Sequence, residues 1–157
     1  MMKTSPAIAR QRHPARHTRG VARFLRRHAG TDYDGFSPDV LEEYLEFHEA
    51  QGTLAWNHRS GRIMGAATAW QCHEEELRAA EEAGVNPFQW RPDNPAGDSL
   101  FIANVCARTP LALAGLLAAI PYRWPHWRRL HIWTYRHGQL TRLAPAALLR
   151  LMRRSCL

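Results

Sequence analysis

Residues 99–107 (SLFIANVCA) are a nearly continuous apolar run of strand length, and together with residues 108–120 they constrain the fold more than any other segment. A run without polar alternation belongs to a strand covered on both faces. Two residues later Thr109 and Pro110 supply the start signals of a helix, and residues 111–120 are apolar nearly all round, so that helix must be buried. A covered strand feeding a buried helix predicts an α/β (α+β) domain. At 157 residues the chain has material for one hydrophobic core.

The remaining segments read in order along the chain. Residues 1–14 lack a helical period and read as a flexible basic arm with one short strand at 7–10, leaving residues 15–157 as a single domain. From Thr18, positions Val21, Phe24, Leu25 and His28 recur at helical spacing until Gly30. Ser37 and Pro38 open a second helix whose stripe is Val40, Leu41, Tyr44, Leu45 and Phe47 or His48, closed by Gly52. The period then falls to two: residues 53–58 and 62–72 read as strands joined through Arg59-Ser60-Gly61. Gly65, Ala66, Ala67 and Ala69 make the second strand narrow, so a helix or a ligand should pack closely on it. Residues 73–83 predict a surface helix anchored by Leu77, and residues 85–98 a loop pinned by Phe88 and Trp90. An aromatic connection (Tyr122, Trp124, Trp127), strands at 129–137 and 139–143, and a basic amphipathic helix at 145–154 complete the string.

Charge is distributed in blocks. Residues 1–29 hold eight basic groups and no acid, all fourteen acids fall between Asp32 and Asp98, and residues 101–157 carry nine arginines and no acid. Such a field steers anionic partners: nucleic acid, a phosphorylated cofactor or an acidic carrier protein. The longest apolar run, ten residues, is about half of a bilayer span, and the basic N-terminus lacks a secretory pattern, which reads as a cytoplasmic protein. Cys72, Cys106 and Cys156 are odd in number and form no Cys-x-x-Cys pair, which argues against a disulfide framework and a thiolate zinc site.

The order of two helices, a hairpin, a central strand, a helix behind it and a further strand resembles the GNAT acetyltransferase fold over roughly residues 18–143. That resemblance implies a mixed, mostly antiparallel central sheet flanked by helices. In segment lengths the chain looks like the toxin-activating lysine acyltransferases, a branch whose central strand runs into its helix without a glycine-rich loop, as residues 99–120 do here. It is also similar to small GNAT-like proteins carried by phages. The implied activity is transfer of an acyl group from an acyl-CoA or acyl-carrier-protein thioester to an amine. The usual family loop corresponds to Arg108-Thr109-Pro110-Leu111-Ala112-Leu113, where leucines replace both glycines and Pro110 removes an amide. Arg108, Thr109 and Leu111, with Val105 on the strand before them, are the candidates for contacting the cofactor, by holding one phosphate of a phosphopantetheine arm. Asn104 stands where an acidic residue would be sought, and an amide orients or stabilises but is no base. Tyr135 is the candidate proton donor to a leaving thiolate, His131 a secondary catalytic candidate, and His28 and His48 the upstream histidines.

Residues 129–137 alternate, so that His131, Trp133, Tyr135 and His137 share one face, a chemical surface or an aromatic face packed under the final helix. His131 and His137 stand too far apart on that face to share a metal, and no metal site is supported. The alternative function is a non-catalytic protein that binds nucleic acid or a protein partner. Arg16, Arg19, Arg23, Arg26 and Arg27 would neutralise phosphates, and Tyr122, Trp124 and Trp127 would stack bases. A homodimer is among the assemblies such a domain can form.

Overall fold

A computed structural model of the chain describes residues 14–29, 36–84, 93–136 and 139–153. The elements follow the order read from the sequence: α1 (Pro14–His28), α2 (Pro38–Gln51), β1 (Leu54–Arg59), β2 (Arg62–Cys72), α3 (Glu74–Glu82), β3 (Ser99–Ala107), α4 (Pro110–Ala118), α5 (Ile120–Arg123), β4 (His131–Arg136), β5 (Gln139–Leu143) and α6 (Pro145–Arg153). The expected strand at 7–10 and the Phe88 and Trp90 pins of the loop lie outside the described residues. Pro14, read as the end of an arm, instead begins α1, because a proline ring suits the first turn and its missing N–H costs nothing there.

The five described strands form one sheet in the order β1-β2-β3-β4-β5, antiparallel throughout except for the parallel pair β3–β4. This is the mixed, mostly antiparallel α+β architecture. The hairpin is tighter than its three-residue reading: Arg59 pairs with Arg62, and Ser60 and Gly61 alone make the turn, both with positive φ as a two-residue hairpin requires. Ser37 caps α2 by accepting the Val40 amide at 3.3 Å.

Helices cover both sheet faces. On one face α4, α5 and α6 bury Leu117, Ile120, Trp124 and Leu148 against Leu100, Ile102 and Ile132. On the other, α1 and α2 pack Val21, Leu25, Leu41 and Leu45 against Ala66 and Cys106, and α3 sets Leu77 against Trp70, Phe101 and Trp133. The alternation of β4 is therefore as read, with Ile132 on one face and Trp133 and Tyr135 on the other, but the aromatic face lies against α3 rather than the final helix. The reason is topological: α6 follows β5 onto the face already occupied by α4.

The narrowness of β2 is explained over half its length by α4. A Cβ at Gly65 would lie 2.9 Å from Leu116 Cδ1 and 3.2 Å from the Cys106 carbonyl oxygen, and Asn57 Nδ2 donates to the Ala112 carbonyl at 2.9 Å to fix the helix on the strands. Behind β2 a buried glutamine ties down the segment entering β3. Gln71 Nε2 donates to the Pro95 and Gly97 carbonyls, its own amide donates to Asp93 Oδ1, and its carbonyl accepts from the Asn94 amide. That segment runs so close to β2 that a Cβ on Gly97 would land on the Cys72 carbonyl.

Gly97→Ala is therefore expected to lower stability by about 3 kcal/mol, measured as a shift in the urea midpoint. Gly115→Ala on the exposed side of α4, where a Cβ meets only Asn57 Nδ2 at 3.3 Å, should stay within about 1 kcal/mol of the parent.

Candidate functional site

β3 carries one residue more than β2 can match. Thr68 pairs with Asn104 and Ala69 with Ile102, so Ala103 has no counterpart, and such a bulge bends its strand and increases the local twist. The parallel ladder to β4 ends at the same point. It joins Ser99–Ile102 to His131–Thr134 and stops, although β3 continues to Ala107 and β4 to Arg136. A wedge thus opens between two neighbouring strands, and among the described residues the backbone of β3 beyond Ile102 has no ladder partner on that side. Asn104 and Val105 lie along the wedge on β3, and Tyr135 on β4. The side chain of Asn104 lies outside the described residues; Val105 is half-buried toward α4, and Tyr135 packs toward Trp70, Phe101 and Trp133 on the opposite face.

At the far end of β3 the chain turns directly into α4. The Arg108 amide extends the β2–β3 ladder by donating to the Met64 carbonyl at 2.8 Å. Thr109, extended at φ −139° and ψ 155°, caps the helix by accepting the Ala112 amide at 3.1 Å. Pro110 has no amide to give, so Leu111 supplies the one N–H of the first turn that is uncommitted among the described residues. Arg108 is exposed and makes no ion pair among the described residues. One guanidinium beside one helical amide suits a single phosphate and leaves too few donors to cradle a pyrophosphate. Contrary to the expectation that the whole helix is buried, Leu111 is 55% exposed. It sits in the first turn of α4.

The structure brings Asn104, Val105, Arg108, Thr109, Leu111 and Tyr135 to one end of the β3–β4 pair, and it does not bring His131 there. His131 pairs with Ser99 at the start of β3, roughly 30 Å of strand away from Arg108. Its Nδ1 lies 3.1 Å from Glu74 Oε2, a partner that sequence reading did not supply. The available signal was the density of acids at the start of α3, directly after β2. Glu74 is also held by Arg78, with Nη2 at 2.7 Å, and the Arg78 and then the His131 hydrogen bonds keep its carboxyl below the usual range. Asp98 closes this corner by accepting the Glu74 amide at 2.9 Å and the Ser99 hydroxyl at 3.0 Å.

Of the two upstream histidines, His28 is exposed on α1 and rests against Phe24. His48, the other upstream histidine, is wholly buried. The Thr53 hydroxyl donates to the His48 carbonyl at 3.1 Å and lies 2.8 Å from His48 Nδ1. With its hydrogen so directed it accepts from Nδ1–H, which leaves Nε2 as a bare lone pair with no partner. The ring stacks on Trp70 at 5.0 Å and meets the edge of Tyr44 at 4.5 Å. Burial pulls its pKa from 6.5 down to about 4, and burial likewise pushes the Tyr44 phenol up while its hydroxyl pairs with Thr68 at 3.1 Å. His48 is thus a neutral core residue, and the wedge holds no acidic residue on its described strands.

The residues assigned to nucleic acid separate in the same way. Trp124 and Trp127 are 5% and 3% exposed and cannot stack bases, because both are core of the α4–α6 face, while Tyr122 is open. The arginines do converge. At about 100° per residue, the positions of Arg16, Arg19, Arg23, Arg26 and Arg27 fall within one arc of about 100° on α1, opposite its buried stripe. His137 lies outside the described residues. Among them, no three His, Cys, Asp or Glu side chains gather as a metal site, and no helix is long and apolar enough to cross a membrane. Cys72 and Cys106 are buried at opposite ends of the β2–β3 pair. The chain matches no family model, and no curated protein matches it.

Because the fold holds His48 neutral, its contribution to stability is complete above pH 6.5 and is lost as pH falls toward about 4, where the unfolded chain takes up the proton and the folded chain resists it. The loss amounts to about 3 kcal/mol. Denaturation followed from pH 7 to pH 4 should show it, and His48→Phe should flatten that part of the profile.

Proposed function

We propose that this chain is an N-acyltransferase of the GNAT kind, moving an acyl group from a pantetheine thioester to an amine. The observation that carries the reading is the wedge between β3 and β4, opened by the bulge at Ala103 beside the start of α4. An extended, amide-bearing arm can lie in such a wedge as an added strand would, its amides meeting backbone groups that β4 no longer pairs. The phosphate at the end of the arm would rest on Arg108 and the Leu111 amide. Since that corner suits one phosphate, the donor it favours is the phosphopantetheine of an acyl carrier protein over coenzyme A. The thioester would then lie by Asn104 and Tyr135. A neutral amine attacks the carbonyl carbon to form a tetrahedral adduct, the C–S bond breaks as the carbonyl re-forms, the Tyr135 phenol protonates the departing thiolate, and the proton lost from the nitrogen returns through water to the Tyr135 phenolate, leaving amide, thiol and phenol. With no base in the wedge, the rate rises with pH as more of the amine is deprotonated.

A second reading rests on the arginine stripe of α1. Arg23 and Arg27 are exposed and have no acidic partner among the described residues, whereas Arg19 reaches Glu42 only at 3.7 Å and Arg26 donates to the Phe36 carbonyl. The apolar face of the helix is buried, so the stripe offers charge without an inserting surface, which suits the phosphates of DNA or RNA.

Turnover of acylated carrier protein with a lysine-containing acceptor tests the first reading. Arg108→Ala should raise KM for the donor about tenfold, and Tyr135→Phe should lower kcat by about a hundredfold or more. If neither variant changes donor binding or turnover, the site is misassigned. For the second reading, fluorescence anisotropy with a DNA oligomer at graded salt should give a log–log slope that falls by about two in the Arg23→Gln/Arg27→Gln variant. An unchanged slope removes the stripe from consideration.

A further inference from the structure

The small residues of β2 beyond Gly65 are not covered by α4 in the way Gly65 is. Under the C-terminal half of that helix, Ala67 and Ala69 face Leu116, Leu117 and Ile120 across a cavity of about 110 Å³. The exposed residues of its lining, Gly52, Ala119 and Arg123, mark its mouth. From the structure we infer that this cavity is a binding site for a short hydrocarbon chain bearing a carboxylate, a second site one helix length from the start of α4 and independent of the acyl-transfer reading.

The walls are mostly apolar and their nearest polar groups are committed, which favours an apolar occupant over water. A buried water needs two to four hydrogen-bond partners. The one hydroxyl in the lining, Thr53, is committed to the His48 carbonyl and Nδ1. The nearby backbone is committed as well. The Thr53 amide donates to His48, the Thr53 carbonyl accepts from the Ala69 amide at 3.1 Å, the Gly52 amide donates to Glu49, and the Gly52 carbonyl accepts from Arg123 Nε at 3.2 Å. A dry apolar cavity of roughly 150 Å³ takes up benzene or xenon, and this somewhat smaller one matches a chain on the order of four carbons.

The head group is set by the mouth. Arg123 is held on one edge by three acceptors: the Gly52 carbonyl on Nε, and the Gln51 carbonyl and Asp93 Oδ2 on Nη2, the last at 2.7 Å. Asp93 is itself almost enclosed, with its oxygens taken up by the Gln71 amide, the Trp124 indole and Arg123. The guanidinium is therefore fixed in place at the rim, with Nη1 unpartnered among the described residues and 41% of its side chain exposed. With Nε and Nη2 committed, Nη1 offers a carboxylate a charge-assisted hydrogen bond, which a neutral hydroxyl receives more weakly.

Thermal unfolding of the full chain with butyrate, 1-butanol and benzene tests this, alongside Ala69→Leu, which fills the cavity, and Arg123→Gln, which removes the charge at the rim. Expected are saturable rises in the unfolding midpoint with all three probes and an affinity for butyrate about tenfold above that for 1-butanol. Ala69→Leu should remain folded by circular dichroism and lose all three responses. Arg123→Gln should keep the benzene response and bind butyrate no better than 1-butanol. The site is overturned if no probe shifts the midpoint or if Ala69→Leu responds like the parent. The head-group assignment is overturned if butyrate and 1-butanol bind alike in the parent chain, or if Arg123→Gln leaves the preference intact.

Discussion

One unmatched residue on the central strand, Ala103, organises the part of this molecule where chemistry has room to occur. Its bulge twists β3 at the point where the parallel ladder to β4 ends, and strands that diverge there leave backbone donors and acceptors without ladder partners among the described residues, in the middle of a sheet where they are otherwise consumed. The divergence is tolerated because β3 is secured on its other side by β2 as far as the Met64–Arg108 hydrogen bond. The same extension delivers the chain to Thr109, so the helix start and the open wedge are neighbours by construction.

The packing on the two faces determines which groups remain available for function. Trp124, Trp127, Tyr44 and His48 carry chemically capable side chains, and each is drawn into a core where it supplies area, ring contacts and one or two hydrogen bonds. His48 shows the cost most clearly: its ring is held as a neutral tautomer with an unpaired Nε2, tolerated because the stacked Trp70 and Tyr44 rings and the Thr53 hydroxyl fix it from the other sides. Most charged groups stay outside, Asp93 being enclosed against Arg123. α1 and α2 divide them between two helices that touch, with the arginines on one and the glutamates on the other.

Much of the fold was legible in the chain because it depends on local rules. The Ser37 and Thr109 caps, the alternation of β4, the apolar run of β3 and the lone anchor Leu77 each report one element's relation to solvent, and each lies where the pattern places it. The candidate site was legible only in part. Arg108, Thr109 and Leu111 come directly after β3 in sequence, so their grouping needs no long-range information. His131 was misplaced because its position on β4 says nothing about which end of β3 it meets, and Glu74 was missed because its partner is 57 residues away.

The sequence by itself determined the kinds and order of the elements, the buried stripe of each helix, and the concentration of arginine on α1, since periodicity and capping act within a few residues. Tertiary structure alone decided the register that leaves Ala103 unmatched, the separation of His131 from Arg108, the tautomer of His48 and the cavity beneath α4. All of these depend on how distant segments pair and how closely a helix can approach a strand. Those distances are set by the summed packing of both faces, which no local pattern encodes.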